Sequence, residues 1–384
     1  MSRAKPAPLR EPVPPTTTIA VLGGGQLGRM LALAAIPLGI NVHSLDPSPD
    51  APAGAVSVLT VGPLDDDLAL RTAATGAEVV TFEWEGVSAA ATRSLEHDGW
   101  IVRPCPAALA VSQDRVDEKT ALAALGIPVT PFVAVDSHAG LLVALDQLGT
   151  PAVLKTRRGG YDGKGQHVIH ADADVDAAWT DLADGGPLVL EAFVPFDREL
   201  SIIAVRGVDG DVRTWPLTEN VHRDGILRVS RAPAPEMTSD LQERAAGYAR
   251  TVLDHFDYVG VLTLELFQVG ATLLVNEMAP RVHNSGHWTI EGAVTSQFEN
   301  HMRAVAGWPL GDTSAQGQSA MVNCIGALPD PSTVMALPGV HLHRYGKVPR
   351  PGRKVGHVTV TAPDAHTLAG RLAALQAVLP PDLG

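Results

Sequence analysis

A predicted β-hairpin between residues 261 and 278 constrains this chain most, because it places two acidic side chains opposite each other. Two apolar, β-prone runs, Val261–Phe267 and Thr272–Met278, flank a short break around Gly270. Folding the chain at this break brings Glu265 and Glu277 almost face to face, and such cross-strand neighbours have Cβ atoms roughly 4.5–5.5 Å apart. Two ionised carboxylates this close repel each other unless they share a cation or a proton.

The residues beside Glu277 indicate which cation the pair would hold. Asn276 adds a neutral oxygen ligand, and a set of hard oxygen donors suits Mg²⁺, which binds carboxylates together with nucleotide phosphates. The alternative is that both glutamates only line the solvated face of an antiparallel hairpin. Because the segment 281–287 places cations and hydrogen-bond donors directly after the acids, the pattern favours a metal and anion site.

Composition argues against several other classes of protein. A chain of 384 residues with 45% hydrophobic and 18% charged residues is typical of a globular protein of two or three domains. The net charge is −13 and the sequence lacks a Lys/Arg-rich run, so a nucleic-acid partner is not expected. The two cysteines, Cys105 and Cys324, are too far apart in the sequence to indicate a disulfide framework or a cysteine metal site.

The apolar segments are too short to predict a membrane span. A typical one, Met30–Val42, is interrupted by Pro37 and Gly39. Residues 1–15 are rich in Pro and polar residues and lack the apolar core of a signal peptide, so we expect a disordered lead-in. The simplest expectation is a cytoplasmic protein without a membrane partner.

The N-terminal region has the pattern of a strand, a glycine turn and a helix. The run Thr18–Leu22 is followed by Gly23–Gly28, which fits Gly-x-Gly-x-x-Gly, and then by the helical segment Arg29–Ala35. Asp46 ends the next strand, where the acidic residue of a Rossmann fold would lie. The pattern predicts an anion near backbone N–H groups and a helix N-terminus, and alone it favours a nicotinamide enzyme. The alternative is a turn that only packs a βαβ unit.

Further alternation of strands and helices extends this region into a Rossmann-like α/β domain of residues 16–110. Its strand Val79–Glu85 delivers Glu83, Trp84 and Glu85 at its C-terminal end, where open parallel sheets place their ligand crevice. Glu83 is the better candidate for a functional role, whereas a tryptophan at such a position is more often used in packing.

The segment Ala107–Leu125 is predicted to form one helix that carries several charges. Asp114, Glu118 and Lys119 are expected to be surface residues, with Arg115 and Glu118 paired three residues apart. Arg115 is the exception to this expectation, because a family resemblance described below gives it a functional role.

A glycine-rich loop lies between two predicted strands, Pro151–Lys155 and Val168–His170. Residues 156–166 contain four glycines and the cation Lys164, so backbone N–H groups and positive charges can close over a polyphosphate. The loop is not a Walker A motif, because it lacks the Gly-Lys-Ser/Thr that opens a helix. A solvated basic loop is the alternative.

Two further segments suggest binding of a nucleoside and of a phosphate. The strand that ends in Glu191 leads into a short linker that can offer N–H and C=O groups to an adenine edge, and Glu199 starts the next strand where it can accept ribose hydroxyls. Near the C-terminus, eleven residues between Arg344 and Lys354 contain five cations on a Gly/Pro-rich loop. That loop predicts a phosphate-monoester site, with a solvated loop as the alternative.

Taken together, these segments resemble the ATP-grasp enzymes and, among them, the 5-(carboxyamino)imidazole ribonucleotide synthase family of purine biosynthesis. The resemblance covers nearly the whole chain beyond residue 16. The loop 160–166 and the segment Asn276–His287 are its most specific motifs, and the N-terminal glycines are weak alone. The other matching segments are Gly23–Arg29, Phe82–Glu85, Asp114–Arg115, Lys155, Glu191–Val194, Glu199–Ser201, Tyr345–Lys347 and Gly352–His357.

The resemblance implies a role for each matching residue. ATP would be held by Arg115, Lys155, Gly160, Tyr161, Asp162, Gly163, Lys164, Gly165, Gln166, Glu191, Ala192, Phe193, Val194, Glu199, His222, Asn276 and Glu277. Mg²⁺ would lie on Glu265 and Glu277. Catalysis on bicarbonate and the carboxyphosphate made from it would fall to Lys155, Arg281, His283, Asn284 and Ser285. The ribonucleotide would contact Gln26, Glu83, Tyr161, Asp162, Lys347, Arg353 and Lys354, the last two through its 5′-phosphate.

The resemblance also implies a fold and a reaction. The fold would be α/β, with a Rossmann-like parallel-sheet domain, an α+β ATP-grasp domain over residues 111–307 with a flap subdomain at about 130–195, and a small β-rich domain over 308–384. The reaction would be the ATP- and bicarbonate-dependent carboxylation of 5-aminoimidazole ribonucleotide by a ligase that is typically a homodimer.

Three alternatives stay open from the sequence. Within the same fold class, the chain could be a formate-dependent glycinamide ribonucleotide transformylase or another carboxylating ligase. A nicotinamide dehydrogenase would depend on the segment Gly23–Gly28 and on Asp46. A non-catalytic ATP-binding scaffold is the third, and the intact pair of glutamates argues against it.

Overall fold

The computed structural model describes residues 17–160 and 163–380. The predicted lead-in of residues 1–15, together with Tyr161 and Asp162, lies outside the described residues. Within those two ranges, the helices are too short or too polar to cross a membrane.

The N-terminal region forms a parallel five-stranded sheet with helices packed on it. Its elements are β1 (Thr18–Leu22), α1 (Gln26–Ala35), β2 (Asn41–Asp46), β3 (Val58–Val61), α2 (Asp67–Ala74), β4 (Val79–Phe82), α3 (Ala89–His97) and β5 (Ile101–Val102). The strand order is β3-β2-β1-β4-β5, and every neighbouring pair is parallel. The predicted Rossmann-like sheet is therefore confirmed. Both faces of a parallel sheet are covered by helices, which is why Ile19, Val21 and Val80 are all fully buried.

The predicted single helix over residues 107–125 is wrong, because the chain forms two helices, α4 (Pro106–Ser112) and α5 (Arg115–Ala124). Asp114 caps the second helix by accepting the N–H groups of Val116 and Asp117. The expectation that Asp114, Glu118 and Lys119 are surface charges is also wrong. All three residues are buried, at 3%, 3% and 1% exposed.

The glycine-rich loop belongs to a small antiparallel sheet with two helices. The elements are β6 (Phe132–Val135), α6 (His138–Leu148), β7 (Ala152–Thr156), β8 (Gln166–Ile169), α7 (Val175–Leu182) and β9 (Leu188–Ala192), and the strand order is β6-β9-β7-β8. Lys155 on β7 pairs with Gln166 on β8. The loop therefore connects two hydrogen-bonded strands, as the sequence predicts.

The rest of the chain builds one nine-stranded sheet. Its elements are β10 (Arg198–Arg206), β11 (Val212–Thr214), β12 (Thr218–Arg223), β13 (Ile226–Ala232), α8 (Ser239–His255), β14 (Gly260–Val269), β15 (Thr272–Ala279), α9 (Thr289–Gly292), α10 (Gln297–Ala306), β16 (Gln318–Ile325), α11 (Pro331–Val334), β17 (Val340–Arg344), β18 (Lys354–Ala362) and α12 (Ala365–Val378). The order is β15-β14-β10-β12-β13-β16-β18-β17, with β11 paired to β10. Strands before and after residue 308 thus share one sheet.

Alternation along β10 shows how this sheet is covered. Ile203 and Val205 belong to a core that contains residues of α10 and α1, whereas Ile202 and Ala204 belong to a core with residues of α8. Successive side chains of a strand point to opposite faces, so each face of the sheet buries its own helix. Helix α10 lies between the nine-stranded sheet and the N-terminal domain and fixes their relative position.

The register of the β14–β15 hairpin confirms the central structural prediction. Glu265 and Glu277 are direct cross-strand partners, with a bulge after Glu265. A bulge increases the local twist of a strand and re-aims nearby side chains. The two carboxylates therefore face the same side of the sheet at a distorted point of the ladder.

His301 on α10 links the two domains through a buried neutral ring. Its Nδ1 accepts the N–H of Val261 at 3.1 Å, so the proton lies on Nε2, which donates to Thr81 at 2.8 Å. Burial lowers the pKa of His301 from 6.5 to about 3. The unfolded chain therefore takes up this proton first as the pH falls below 6.5, and the contribution of His301 to stability is lost in that range.

We expect the pH dependence of unfolding to expose this residue. The difference in the free energy of unfolding between the wild type and His301→Gln should shrink by about 2 kcal/mol between pH 7.5 and pH 5. Urea unfolding at the two pH values measures it. A pH-independent difference would show that His301 is not a neutral buried ring.

Candidate active site

A cleft of about 1470 Å³ lies where the N-terminal domain, the small antiparallel sheet and the nine-stranded sheet meet. The predicted site residues that line it come from all three regions. They are Gln26, Glu83, Arg115, Lys155, Gly160, Gly163, Lys164, Gln166, Glu191, Ala192, Phe193, Val194, Glu199, His222, Glu265, Asn276, Glu277, Arg281, His283, Asn284, Lys347, Arg353 and Lys354. Residues separated by more than 300 positions in the sequence thus share one cavity.

The two glutamates of the hairpin, Glu265 and Glu277 (the acidic pair), have pKa values shifted in opposite directions. Burial opposes ionisation of Glu265, but the hydrogen bond and charge of His283, together with the charges of His222 and Lys354, outweigh it and hold the pKa of Glu265 at about 2. The side chain of Glu277 is 44% exposed to the cleft. Desolvation of its carboxylate by the cleft walls and the negative charge of Glu265 nevertheless raise its pKa. A second negative charge at this point is disfavoured, and a cation would relieve that repulsion.

The donor set fits a metal ion that takes further ligands from a substrate. In the described residues no cluster of three or more His, Cys, Asp or Glu side chains forms a self-contained metal site. Two carboxylates and a neighbouring amide oxygen leave coordination positions open. This arrangement suits Mg²⁺, which is usually held by one or two carboxylates together with phosphates and water.

His283 is held in one tautomer beside the acidic pair. The backbone N–H of Ser285 donates to its Nδ1, so Nε2 carries the proton and points at Glu265, 3.2 Å away. Ser285 is fully buried beneath this ring, with its hydroxyl 2.8 Å from Nδ1. Asn284 is fixed by a reciprocal amide pair with Asn323, at 2.7 and 3.1 Å. The segment is thus rigid before any ligand arrives.

Two cations lie near the acidic pair on the side of the glycine-rich loop between β7 and β8, which we call the flap. Arg115 donates to the carbonyl of Gly160 at 3.1 Å and lies 3.9 Å from the carboxylate of Glu277. Lys155 donates to Glu191 at 2.8 Å. Asp114 accepts from both arginines at the base of the flap, Arg157 and Arg158, at 2.9 and 3.1 Å. The flap is therefore tied to α5, and two cations flank the space in front of Glu277.

Glycine is required at two points of the flap by close packing. Gly163 has φ +74° and lies against the β12–β13 turn, where a Cβ would come 2.9 Å from the carbonyl oxygen of Asp224. Gly165 has φ +72°, and a Cβ there would meet the hydroxyl of Thr156 at 2.7 Å. The flap thus reaches across the cleft to the nine-stranded sheet. Tyr161 and Asp162, which were predicted to bind both ligands, lie outside the described residues.

The predicted nucleoside end of the cleft carries an acid–histidine pair. His222 and Glu199 are joined by a 2.6 Å hydrogen bond between Nδ1 and Oε2. Burial opposes protonation of the ring, but the hydrogen bond to Glu199 and the negative charges of Glu265 and Glu199 together outweigh it and raise the pKa of His222. Phe193 is 44% exposed beside this end of the cleft. The pair can offer a charged N–H donor and carboxylate acceptors to a sugar.

The N-terminal glycine turn binds protein carboxylates instead of presenting its N–H groups to a ligand. The N–H of Gly24 donates to Asp46 at 3.0 Å, and that of Gly25 donates to Glu83 at 2.8 Å. A Cβ on Gly23 would come 2.6 Å from Glu83, so the turn packs directly on that side chain. Two carboxylates at the place of a pyrophosphate would repel it. The geometry therefore disfavours the nicotinamide alternative.

The basic loop at the C-terminal end meets the glycine turn across the cleft. Lys347 donates a short hydrogen bond to the side-chain oxygen of Gln26. Burial and the charges of Arg353 and Lys354 together lower the pKa of Lys347 to about 8, although the charge of Glu83 opposes the shift. Burial raises the pKa of Glu83 to about 7. Three cations crowded at one end of the cleft would be stabilised by an anionic group such as a phosphate.

The sequence interpretation did not assign Glu85 to the site, and it placed Glu118 and Lys119 at the surface. Glu85 accepts a short hydrogen bond from Nε of Arg281, and this charge keeps the pKa of Glu85 below its ordinary value although burial opposes ionisation. Glu118 faces Glu277, and Lys119 lies behind Asn276. Helical spacing could have indicated that Glu118 and Lys119 lie near the site, because residues three and four positions after Arg115 share its face of α5.

Family models match three parts of the chain. Residues 16–113 match the ribonucleotide synthetase preATP-grasp domain, residues 120–298 the ATP-grasp domain, and residues 319–371 the phosphoribosylaminoimidazole carboxylase C-terminal domain. The same three regions supply the walls of the cleft.

Whole-chain relatives decide the assignment. N5-carboxyaminoimidazole ribonucleotide synthase from Pseudomonas aeruginosa is 49% identical over 94% of this chain and 99% of its own length. The chain belongs to the N5-carboxyaminoimidazole ribonucleotide synthase family. The crystal structure of the synthetase from Thermus thermophilus is similar with a TM-score of 0.90 and 52% identity, covering 94% of this chain and 98% of that one. The synthase from Aspergillus clavatus, in complex with ADP and 5-aminoimidazole ribonucleotide, has a TM-score of 0.89 and 32% identity over 95% and 98% of the two chains.

Family membership confirms the predicted fold class and the predicted ATP-grasp ligase. The chain is an N5-carboxyaminoimidazole ribonucleotide synthase-type ligase of purine biosynthesis, and the transformylase alternative has no support among these relatives. The roles of individual residues stay predictions.

Proposed function

We propose that this chain uses ATP and bicarbonate to carboxylate 5-aminoimidazole ribonucleotide, giving N5-carboxyaminoimidazole ribonucleotide, ADP and phosphate, and that the cleft residues divide this task. The supporting observation is that an acidic pair, Glu265 and Glu277, and a cluster of three cations, Lys347, Arg353 and Lys354, line one cavity. The first suits a metal–nucleotide and the second suits a sugar phosphate.

ATP would lie between the small antiparallel sheet and the hairpin. Arg115, Lys155 and Lys164 would face its phosphates, the linker Glu191–Val194 its adenine, and Glu199 with His222 its ribose. Bound Mg²⁺ on Glu265 and Glu277 would neutralise phosphate charge during transfer. The raised pKa of Glu277 supports this placement, because burial and the charge of Glu265 disfavour its ionised form and a bound metal ion would stabilise it.

Bicarbonate would bind beside the rigid segment 281–285. Bicarbonate and the γ-phosphate are both anions, so the guanidinium of Arg281 and the ammonium of Lys155 are needed to reduce their repulsion. Asn284, fixed by Asn323, would orient the small anion. Holding both reactants in line can supply roughly 7–11 kcal/mol of the barrier.

Carboxyphosphate hydrolyses readily, so the cleft has to exclude water until the amine reacts. The loop 160–166 would serve as the cover, because it already reaches the β12–β13 turn across the opening. The ribonucleotide would sit at the other end, with Glu83 and Gln26 near its ring and sugar and with Arg353 and Lys354 on its 5′-phosphate. The homodimer, the cytoplasmic location and domain boundaries near residues 110 and 307 stay predictions of this proposal.

A substrate-omission assay tests the proposal. Release of phosphate from ATP should require both bicarbonate and 5-aminoimidazole ribonucleotide, and removal of Mg²⁺ should stop it. Formate with glycinamide ribonucleotide serves as the parallel reaction. Phosphate release with that pair but not with the first would overturn the assignment, and so would a rate that is independent of any ribonucleotide.

Replacing Lys354 by Ala should weaken ribonucleotide binding specifically. A phosphate contact that is equally strong in the ground state and the transition state affects KM and leaves kcat nearly unchanged. We expect KM for the ribonucleotide to rise about tenfold or more, as for loss of a charge-assisted hydrogen bond. Steady-state kinetics with saturating ATP measure this. Arg344→Ala is the control, since Arg344 is exposed and lies outside the cleft lining, and an unchanged KM in Lys354→Ala would place the phosphate elsewhere.

A further inference from the structure

Lys119 is a fully buried cation directly behind the nucleotide site. It is 1% exposed, and its ammonium donates to the backbone carbonyl of Asn276 at 2.8 Å. The same ammonium lies 3.4 Å from Oε1 of Glu191. Glu191 is itself 2% exposed, and its other carboxylate oxygen accepts from Lys155 at 2.8 Å. One lysine thus touches both the linker strand β9 and the hairpin strand β15.

These contacts join two walls of the cleft that belong to different sheets. Strand β9 belongs to the four-stranded sheet and β15 to the nine-stranded sheet. Glu191 begins the linker that would face adenine, and Asn276 precedes Glu277 of the acidic pair. The separation of the two walls sets where adenine lies relative to the phosphates. Lys119 lies on helix α5 and contacts both walls with its ammonium group.

Burying a cation is energetically costly, so an apolar side chain would be expected here unless the charge has a role of its own. Burial lowers the pKa of Lys119, and the negative charge of Glu191 only partly offsets that effect. Replacing a buried ion pair by well-packed apolar residues is often neutral or stabilising, so stability alone is a weak reason for this arrangement. The chain also places Lys155, a predicted ATP ligand, on the same carboxylate.

We propose that Lys119 is a positioning residue for ATP, which holds Glu191 and the Asn276 backbone in register and shares the charge of Glu191 so that Lys155 is available to phosphate. The inference rests on the proposed function only in that the cleft binds ATP. Without Lys119, the carboxylate of Glu191 keeps Lys155 and the more distant Arg115 as its cations, and it draws Lys155 more strongly. Lys155 then binds Glu191 at the expense of the nucleotide.

The test is Lys119→Met, which keeps the length and volume of the side chain and removes its charge. The expected result is a fall in ADP affinity of about tenfold or more, measured by isothermal titration calorimetry, with KM for ATP raised by a similar factor. KM for the ribonucleotide should change less than twofold, because the other end of the cleft is untouched. If the role of Lys119 were purely structural, Lys119→Met would lower the melting temperature, and it would not weaken ADP and ATP binding more than ribonucleotide binding.

Arg206→Met is the matched control. Arg206 is another mostly buried cation that donates to a backbone carbonyl, that of Tyr258 at 3.0 Å, and pairs with Asp257 at 2.8 Å, but it lies outside the cleft lining. It should lose a comparable amount of stability and keep wild-type ADP affinity. If Lys119→Met does not fold, Lys119→Gln is compared, since it retains a donor for Asn276 and lacks the charge for Glu191.

The outcomes separate this inference from the proposed function. Wild-type ADP affinity in a folded Lys119→Met or Lys119→Gln variant overturns the role of Lys119, and so does an equal loss of affinity in Arg206→Met. Failure of the wild type itself to bind ADP overturns the proposed function instead. Reduced affinity in the Lys119 variants alone, with ribonucleotide KM unchanged, supports the inference.

Discussion

Replacing Glu277 by Gln should reduce carboxylation by roughly 100-fold or more, the size of effect seen when one electrostatic contact to a transition state is lost. The free energy of unfolding should stay unchanged or rise. Glu277 faces Glu265 directly across the hairpin, and burial together with the negative charge of Glu265 raises its pKa. An amide of the same shape removes the repulsion and also removes a metal ligand. Loss of activity without loss of stability is the signature of a charge kept for function.

The comparison for this prediction is Glu219→Gln. Glu219 lies on β12 outside the cleft lining, and it pairs with Arg198 at 3.3 Å and with Arg231 at 3.7 Å. The control should lose some stability and retain its rate, which is the opposite pattern. Phosphate release at a series of Mg²⁺ concentrations and thermal unfolding supply the two readouts. If Glu277→Gln kept more than a third of wild-type turnover, Glu277 would have no place in the metal site.

The hairpin could be predicted from the sequence because its register depends on local information. The position of the break near Gly270 fixes which residues face each other, and a shift by one residue would send Glu265 to the apolar face of the sheet. From Val269 to Leu266 the observed pairing follows this count, which continued would place Glu265 opposite Asn276. The bulge after Glu265 places Glu277 there instead, and the position of the break alone does not predict that bulge. The flap between β7 and β8 was predictable for the same reason, since glycines mark a segment that has to leave the strands.

The partners of the glycine turn could not be predicted, because they come from distant strands. Gly-x-Gly-x-x-Gly specifies a turn that admits a close neighbour, and the motif does not say whether that neighbour is a pyrophosphate or a protein carboxylate. Here the N–H groups of Gly24 and Gly25 are taken by Asp46 and Glu83. Only the packing of β2 and β4 beside β1 brings those acids to the turn.

The error at Glu118 and Lys119 has a related cause. Charged residues on a helix are normally solvated, and nothing in the spacing distinguishes a helix at the surface from one wedged behind an active site. The burial of Lys119 depends on the carbonyl of Asn276 and the carboxylate of Glu191, which lie 157 and 72 residues further along the chain. Tertiary partners of this kind reverse the usual expectation for a lysine.

Replacing Arg281 by Lys should lower kcat about 100-fold or more, although the charge is retained. In the described residues, hydrogen bonds occupy Nε, which donates to Glu85, and Nη1, which donates to the carbonyl of Val282 at 3.1 Å. Nη2 is the nitrogen left for an anion in the cleft. A lysine ammonium is a single point charge, so Glu85 would hold it and the anion would lose its donor. ADP affinity should be unchanged, because nucleotide contacts lie on the flap side.

The matched variant for this prediction is Arg198→Lys. Arg198 also uses a guanidinium to bind several partners, Gln268 at 2.8 Å, Glu219 at 3.3 Å and the carbonyl of Pro235 at 2.6 Å, and it lies outside the cleft lining. Both variants lose the planar guanidinium that binds several partners at once. Only Arg281→Lys should have a lower kcat at saturating bicarbonate. Calorimetry with ADP and steady-state kinetics separate binding from turnover. A defect in Arg281→Lys that excess bicarbonate fully restores would make Arg281 a ground-state binding residue, and near-normal kinetics would remove it from the anion site.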